Sequence, residues 1–285
     1  MWVLLPVFQA VSHEYIFHSF AWNALLYVTL FSIVLMHEFG HALACRQVGG
    51  QANEIVLWPL GGVAYVAPPQ RPGAVLWSIA AGPLVNVALA PLLTLAWAHV
   101  KAAGWDETMP NLYTYVWAVC VTNWVLLIFN LLPVYPLDGG QILRALLWFL
   151  IGRSRSLKIA SGLGFVGVAG LAVFAVVTQN TWLIILCVFA ASNCWQGWQQ
   201  AKALARIEAA PRRDGFACPH CRAAPPVGAF WGCGRCRRAF DTFETLAVCP
   251  HCGAHFEVTG CFHCGNPSPI TSWFVPVPPV PPKIL

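Results

Sequence analysis

The sequence has few charged residues. Aspartate, glutamate, lysine and arginine together make up 9% of its 285 residues, whereas a soluble globular domain carries about 25%. Hydrophobic residues make up 58%. This balance excludes an ordinary soluble protein and predicts a membrane protein with several spanning segments and one small soluble domain.

Five apolar segments are long enough to cross a bilayer, because about 20 helical residues cover its hydrocarbon core of about 30 Å. They cover residues 21–44, 74–98, 112–132, 159–178 and 181–198. A shorter apolar run, residues 55–67, lies between the first two and is interrupted by Pro59, Gly61 and Gly62. We expect a re-entrant hairpin there, with an interfacial loop as the alternative.

The first apolar segment contains the sequence His37-Glu38-Phe39-Gly40-His41, which is typical of a zinc site. Two histidines four residues apart lie on one face of a helix and can hold one zinc ion. The glutamate beside the first histidine can act as a general base on a zinc-activated water. An unpaired carboxylate is costly in an apolar segment, so a functional role for Glu38 is favoured over a structural one.

A catalytic zinc site needs three protein ligands and one open position for water. Asp138 is the only other acidic residue predicted within the apolar core. Prolines and glycines surround it in the sequence P-L-D-G-G, which predicts a bent loop at membrane depth. The residues therefore predict a zinc centre of His37, His41 and Asp138, with Glu38 as general base.

The basic residues indicate the orientation of the chain. If five segments alternate across the bilayer, only Lys101 falls on one side, and ten Lys and Arg residues fall on the other. These ten are Arg46, Arg71, Arg144, Arg153, Arg155, Lys158, Lys202, Arg206, Arg212 and Arg213. The positive-inside rule then predicts an N-terminus outside the cell and a C-terminal region in the cytoplasm. We therefore expect both His41 and Asp138 to lie near the cytoplasmic end of their segments.

The twelve cysteines divide into two groups. Four are scattered through apolar segments as buried side chains, namely Cys45, Cys120, Cys187 and Cys194. The other eight form four C-x-x-C pairs, which are Cys218 with Cys221, Cys233 with Cys236, Cys249 with Cys252, and Cys261 with Cys264. This spacing predicts a double zinc ribbon with two structural zinc ions in a reducing compartment. We expect each zinc to join neighbouring pairs, with a crossed arrangement as the alternative.

With this pairing, the arginines fall on one ribbon. The first ribbon contains Arg222, Arg235, Arg237 and Arg238, whereas residues 249–264 contain neither lysine nor arginine. We therefore expect the first ribbon to lie against the anionic inner leaflet of the bilayer and the second to face a cytoplasmic protein partner. Binding of nucleic acid by the ribbons is the weaker alternative.

Three motifs together resemble the site-2 protease family of intramembrane zinc metalloproteases. They are H-E-F-G-H at 37–41, G-P-L-V-N at 82–86 and N-L-L-P-V-Y-P-L-D-G-G at 130–140. The resemblance covers about residues 21–151. It implies a three-helix catalytic core, zinc held at the positions that match His37, His41 and Asp138, and water activation by Glu38. It also implies cleavage of a substrate's transmembrane helix near the cytoplasmic side.

The same resemblance implies roles for four further residues. The region of Gly61 and Gly62 looks like the family's substrate-binding strand, and a hairpin edge there would hold an extended substrate by strand addition. Asn86 and Asn130 match asparagines that align the substrate or stabilise the oxyanion. A structural hydrogen bond between helices is the equal alternative for each. The cytoplasmic end departs from familiar relatives, since neither a PDZ-like nor a CBS-like pattern is evident.

The sequence thus predicts an all-α polytopic membrane protein with about five transmembrane helices, a re-entrant hairpin and a small β-rich double zinc-ribbon domain. The predicted parts are a catalytic core at 1–151, two more spanning helices and a linker at 152–210, the ribbons at 211–266 and a proline-rich tail at 267–285. The tail sequence at 276–283 is typical of polyproline II or a disordered end.

The predicted function is that of an intramembrane zinc endopeptidase. It would carry one catalytic and two structural zinc ions and act on a transmembrane protein substrate in regulated intramembrane proteolysis. The alternative is a non-catalytic membrane adaptor that recruits a cytoplasmic partner through its ribbons. The complete set of His37, Glu38, His41 and Asp138 favours the enzyme, because an adaptor has no evident use for Glu38.

Overall fold

The computed structural model describes residues 19–58 and 61–275, without the side chains of residues 56–64. The chain forms two compact units, residues 1–200 and 201–285. The first unit is mostly helical. The second begins with the end of the last α-helix and continues as short strands, turns and a 3₁₀ helix. Pro59 and the predicted polyproline II segment at 276–283 lie outside the described residues.

Seven helices lie within the described residues. They are α1 (Phe20–Gln47), α2 (Pro72–Ala102), α3 (Trp105–Thr108), α4 (Pro110–Leu131), α5 (Asp138–Ile151), α6 (Arg153–Val177) and α7 (Thr181–Ala209). Across the described parts of the chain, four of these helices are long and apolar enough to cross a membrane, namely α1, α2, α4 and α6. The structure thus confirms the first four predicted spans as apolar helices.

The fifth predicted span, residues 181–198, begins α7 but is not among these four helices. After the apolar residues at its start, this segment contains Ser192, Asn193 and Gln196. These polar residues lower the mean hydropathy of the segment. A fifth crossing, and with it the predicted orientation of the chain, stays a prediction.

The connection between α1 and α2 is a β-hairpin at the position of the predicted hairpin, so the first unit is mostly helical with one pair of strands. Strand β1 (Gln51–Trp58) pairs antiparallel with β2 (Gly61–Ala67). The pairing runs from Gln51 opposite Ala67 to Trp58 opposite Gly61, with an irregularity between Ala52 and Glu54. The hairpin begins four residues before the apolar run, because backbone pairing recruits polar residues that hydrophobicity alone does not single out.

The hairpin packs against the end of α1. A small apolar cluster joins the two elements and consists of Ala42, Cys45, Ala52, Ile55 and Val66. The Arg46 guanidinium donates two hydrogen bonds, of 2.6 and 3.0 Å, to the carbonyl of Ala52. These contacts place the hairpin next to the turn of α1 that carries His41.

Helices α1 and α2 approach closely where both carry glycine. A Cβ atom on Gly40 would lie 2.6 Å from the backbone oxygen of Ala81, which is closer than packed atoms come. This contact sets the H-E-x-x-H face of α1 against the G-P-L-V-N region of α2.

The second unit contains two short hairpins. Strand β3 (Trp231–Gly232) pairs with β4 (Ala239–Phe240), and β5 (Thr259–Gly260) pairs with β6 (Pro267–Ser268). The turn of each hairpin holds one C-x-x-C pair. A 3₁₀ helix follows at Ile270–Trp273. The sequence assigns residues from 267 onward to a tail, whereas the structure places β6 and the 1% exposed Trp273 inside the folded unit.

Candidate metal centres

The structure brings the three predicted zinc ligands together. His37 and His41 lie one turn apart on α1, and Asp138 is the first residue of α5 rather than part of the predicted loop. His37 Nε2 lies 3.0 Å from Asp138 Oδ2 and 3.1 Å from His41 Nε2, and His41 Nε2 lies 3.4 Å from Asp138 Oδ2. Tetrahedral zinc with bonds of about 2.0–2.1 Å separates its ligand atoms by about 3.3 Å. The three atoms therefore have the spacing of one face of a zinc coordination shell.

Gly82 of α2 leaves room for an ion beside these ligands. A Cβ atom at this position would lie 2.2 Å from His41 Nε2 and 2.8 Å from His37 Nε2. Any larger residue would fill the space next to both metal-binding nitrogens. Two imidazole nitrogens and one carboxylate oxygen are a donor set that suits zinc, so the residues present fit one zinc ion.

A chain of hydrogen bonds sets the tautomer of His37. Asn123 Nδ2 donates to the backbone carbonyl of Asn86 at 3.1 Å, which orients the Asn123 amide because a carbonyl only accepts. Asn86 Nδ2 then donates to Asn123 Oδ1 at 2.9 Å, so Asn86 Oδ1 faces His37 Nδ1 at 2.6 Å. His37 must donate through Nδ1. Its Nε2 therefore keeps a free lone pair on the side of Asp138.

His41 is oriented in the same sense by the backbone of α2. Its Nδ1 donates to the carbonyl of Ser78 at 2.9 Å. Both histidines thus use Nδ1 as a donor to the protein and direct Nε2 toward the third ligand. Partners of this kind fix the ring and raise the basicity of a metal-binding histidine.

Glu38, the predicted general base, follows His37 on α1 and is 7% exposed. Its burial beside the ligands agrees with a role in proton transfer, which stays a prediction. Gly61 and Gly62 lie at the start of β2, opposite Trp58 and Leu57.

The two predicted substrate-positioning asparagines differ in their surroundings. Asn86 is 0% exposed and bonds to Asn123 of another helix, which matches the structural alternative. It also bonds to a metal ligand, which sequence reasoning did not anticipate. Asn130 is half-buried near the end of α4, and its predicted contact with substrate stays a prediction.

Asn123 and Ser78 are site residues that the sequence analysis missed. Ser78 contributes through its carbonyl, which no sequence motif can reveal. Asn123 offers a weak signal, since an amide in the middle of an apolar span needs a polar partner. That signal gives the need for a partner but does not identify it.

The eight paired cysteines form two groups of four. One group contains Cys218, Cys221, Cys261 and Cys264, and the other contains Cys233, Cys236, Cys249 and Cys252. Their closest sulfur atoms lie 3.6 to 3.7 Å apart. Disulfide sulfurs would lie about 2.05 Å apart, whereas tetrahedral zinc with bonds of about 2.3 Å separates its sulfurs by about 3.8 Å. The cysteines therefore fit two zinc ions.

The expected pairing of neighbouring C-x-x-C pairs is wrong. The first C-x-x-C pair joins the fourth to form what we call the outer site, and the second joins the third to form the inner site. The inner site therefore lies within the loop of chain that the outer site closes. Loops of similar length separate successive pairs, so spacing alone did not distinguish these arrangements. In the structure, Phe240 stacks on Phe256 beside the inner site, and Trp273 packs with Cys218 and Cys261 of the outer site.

This nesting also changes the expected distribution of charge. The exposed residues Arg235, Arg237 and Arg238 now share the inner site with Cys249 and Cys252, and Arg222 belongs to the outer site. The sites therefore do not divide into one basic and one uncharged ribbon. The backbone N–H groups of Cys236 and Arg235 lower the pKa of Cys233 to about 6, which favours the thiolate form that binds a cation.

The residue after each C-x-x-C pair has the same backbone conformation. Arg222, Arg237, Gly253 and Gly265 all have φ between +58° and +79°. Each site thus combines one turn that ends in arginine with one that ends in glycine. Arginine in this conformation costs about 1–2 kcal/mol relative to glycine.

The fold and the first site define a class, which is that of polytopic membrane proteins with an H-E-x-x-H metal centre between their helices. The chain belongs to peptidase family M50, whose family model matches residues 25–104 and 99–174. This finding confirms the family resemblance predicted from the three motifs. The match ends before α7 and the cysteine-rich unit.

Individual relatives agree with this membership. The zinc metalloprotease MJ0392 of Methanocaldococcus jannaschii is 33% identical over 174 residues, which are 60% of this chain and 48% of that protein. Stage IV sporulation protein FB of Bacillus subtilis is 29% identical over 178 residues, 60% of this chain and 58% of its own. This chain therefore spans about half the length of these two relatives.

One solved structure is also similar. The site-2 protease from Methanocaldococcus jannaschii aligns with 69% of this chain and 88% of its own, at 28% identity and a TM-score of 0.48.

Replacement of Asn123 by leucine tests the hydrogen-bond chain. Without Asn123, the Nδ2 group of Asn86 loses its acceptor, so the Asn86 oxygen that accepts from His37 is no longer held in its orientation. We expect zinc affinity to fall about 10- to 100-fold, the usual effect of such a partner. Zinc retention against a competing chelator measures this loss. Thr122→Val, a change at the buried neighbouring position, is the control, and equal affinity in both variants would contradict the interpretation.

Cysteine replacements test the nested pairing. We expect Cys221→Ala and Cys261→Ala each to remove one zinc ion, and the double variant to remove the same ion. The pair Cys221→Ala and Cys236→Ala should instead remove two. Elemental analysis gives zinc per chain, and Cys120→Ala serves as the control outside both groups. Pairing of sequence neighbours would give the opposite result for the two double variants.

Proposed function

We propose that the protein is an intramembrane zinc endopeptidase that hydrolyses a peptide bond within or next to a transmembrane segment of a membrane-protein substrate. The observation that carries this proposal is the convergence of His37, His41 and Asp138, from two distant parts of the chain, to within 3.4 Å beside a buried glutamate. Membership of peptidase family M50 supports the reaction class. Apolar helices around the site support a substrate within the membrane.

His37, His41 and Asp138 would hold one zinc ion in the space beside Gly82. When bound, zinc supplies a positive charge that polarises the scissile carbonyl and makes a water molecule more acidic. Glu38 would accept the proton of the attacking water and pass it to the amine of the leaving peptide. The bonds to Asn86 and Ser78 hold both imidazoles in place throughout this transfer.

The substrate helix must unwind before cleavage, because its carbonyls are hydrogen-bonded and shielded. The β1–β2 hairpin lies beside the end of α1 that carries His41, and within the described residues each of its strands pairs along one edge only. We propose that the unwound segment adds to this hairpin at β2, near Gly61 and Gly62, through main-chain hydrogen bonds. An added strand would present its backbone extended to the metal centre.

For the second unit we propose two structural zinc ions and a cytoplasmic location. Reduced thiols persist in the cytoplasm, and the positive-inside bias favours the same side. The exposed arginines of the inner site favour an anionic contact, such as the inner leaflet of the bilayer. A cytoplasmic protein partner for the remaining surface stays an expectation.

Glu38→Gln separates catalysis from metal binding. The amide keeps the size of the side chain but cannot accept the proton, so cleavage should fall by at least about 100-fold while zinc content stays at the wild-type level. Quantitative comparison of membrane proteins that accumulate uncut in cells with this variant would identify the substrates. Glu54→Gln, on the exposed hairpin, is the matched control. Identical processing by wild type and Glu38→Gln would contradict the proposal.

A proline scan of residues 62–66 tests substrate addition to β2. Proline lacks an N–H group, and alternate residues of an antiparallel strand direct this group to the partner strand or away from it. We expect variants at outward positions to keep zinc and yet lose at least tenfold in cleavage of a substrate found with Glu38→Gln. Undiminished cleavage at every position would count against strand addition.

A further inference from the structure

The backbone that leads into Asp138 is held by a helix beyond the matched family region. The Cys194 thiol of α7 is 0% exposed and donates to the carbonyl of Tyr135 at 3.0 Å. Tyr135 lies three residues before Asp138. A buried hydrogen bond thus connects α7 to the loop that delivers a metal ligand.

Glycines allow α6 and α7 to come this close to the loop. A Cβ atom at Gly164 of α6 would lie 2.6 Å from both the Tyr135 oxygen and the Cys194 sulfur. A Cβ atom at Gly197 of α7 would lie 2.5 Å from Ser161 Oγ and 3.0 Å from the Tyr135 ring. These distances are shorter than ordinary van der Waals contact, so the packing depends on hydrogen at both positions.

A third glycine and helix α5 enclose the rest of the segment. A Cβ atom at Gly167 of α6 would lie 2.5 Å from a methyl group of Val134, and one at Gly140 of α5 would lie 2.4 Å from the Tyr135 nitrogen. Gln141 Nε2 also donates to the Pro136 carbonyl at 3.1 Å. Residues 134–136 are therefore packed between α5 and the α6–α7 pair.

This packing matters because Asp138 is the one ligand that α1 does not carry. One helix fixes the distance between His37 and His41, whereas the position of Asp138 depends on contacts between helices. Metal–ligand bonds tolerate deviations of only about 0.2 Å. A small shift of residues 134–136 is therefore enough to remove the carboxylate from the coordination shell.

We propose that Gly164, Cys194 and Gly197 are positioning residues of the metal centre, which hold residues 134–136 and through them the Asp138 carboxylate. This inference rests on the zinc centre proposed above. It makes α6 and α7, which the sequence assigns to an additional region at 152–210, part of the machinery that assembles the site.

Gly164→Ala and Gly170→Ala form a matched pair that tests the proposal in the full-length chain. Both lie on α6, but a Cβ atom at Gly170 meets nothing within 4 Å. The zinc that His41→Ala loses defines the catalytic ion, and elemental analysis after equilibration with graded chelator measures its retention. We expect Gly164→Ala to lose this ion at a chelator concentration at least about tenfold lower than wild type. Gly170→Ala should behave like wild type.

A second series of variants removes the hydrogen bond from Cys194 to the Tyr135 carbonyl, and it tests the proposal even if Gly164→Ala does not fold. Cys194→Val has a similar size and no donor, so we expect about two- to tenfold weaker zinc retention. Cys194→Ser restores a donor and should recover most of the loss. Cys187→Val is the control, because Cys187 lies on the same helix, is 7% exposed and packs with Ala175 and Leu183 instead.

The outcomes separate this proposal from the proposed function. Wild-type zinc retention by a folded Gly164→Ala protein overturns the positioning role, as does equal retention by Cys194→Val and Cys187→Val. If wild type and His41→Ala retain the same amount of zinc, the catalytic ion itself is absent. That result removes the proposed function and this inference with it.

Discussion

The hydrogen bond between His37 and Asn86 is the interaction on which the metal centre depends. In an apolar surrounding a polar side chain must find its partner within the protein, and here each partner also orients the next. The backbone of α2 orients Asn123 of α4, Asn123 orients Asn86, and Asn86 orients the imidazole on α1. These bonds connect three of the apolar helices. Their packing leaves the lone pair of His37 Nε2 available to a metal ion.

Much of this arrangement was readable in the sequence. The spacing of His37 and His41, and the cost of a carboxylate at Asp138, predicted three residues that the structure brings together. Apolar length predicted five spans, four of which are helices long and apolar enough to cross a membrane. The β1–β2 hairpin was predicted as a hairpin over residues 55–67, but its start at Gln51 was not, because its polar first residues pair through backbone groups. The role of Ser78 could not be predicted for the same reason, because it acts through its backbone carbonyl, which every residue type has.

Asn123, the cysteine pairing and the role of α7 show a different limit. Asn123 stands alone in an apolar span, and only the fold reveals that it faces Asn86. The four C-x-x-C pairs have similar spacings, so the sequence alone did not distinguish neighbouring from nested sites. Cys194 had every property of an ordinary buried side chain. Tertiary contact, not residue type, distinguishes it from Cys187.

The nested cysteine sites give the second unit an order of assembly. Cys236 and Cys249 of the inner site are 13 residues apart, whereas Cys221 and Cys261 of the outer site are 40 apart. A shorter loop loses less chain entropy on closure, and all four inner thiols leave the ribosome before Cys261 does. The inner group of four thiols is therefore complete first during synthesis, and closing its loop costs less chain entropy than closing the outer one.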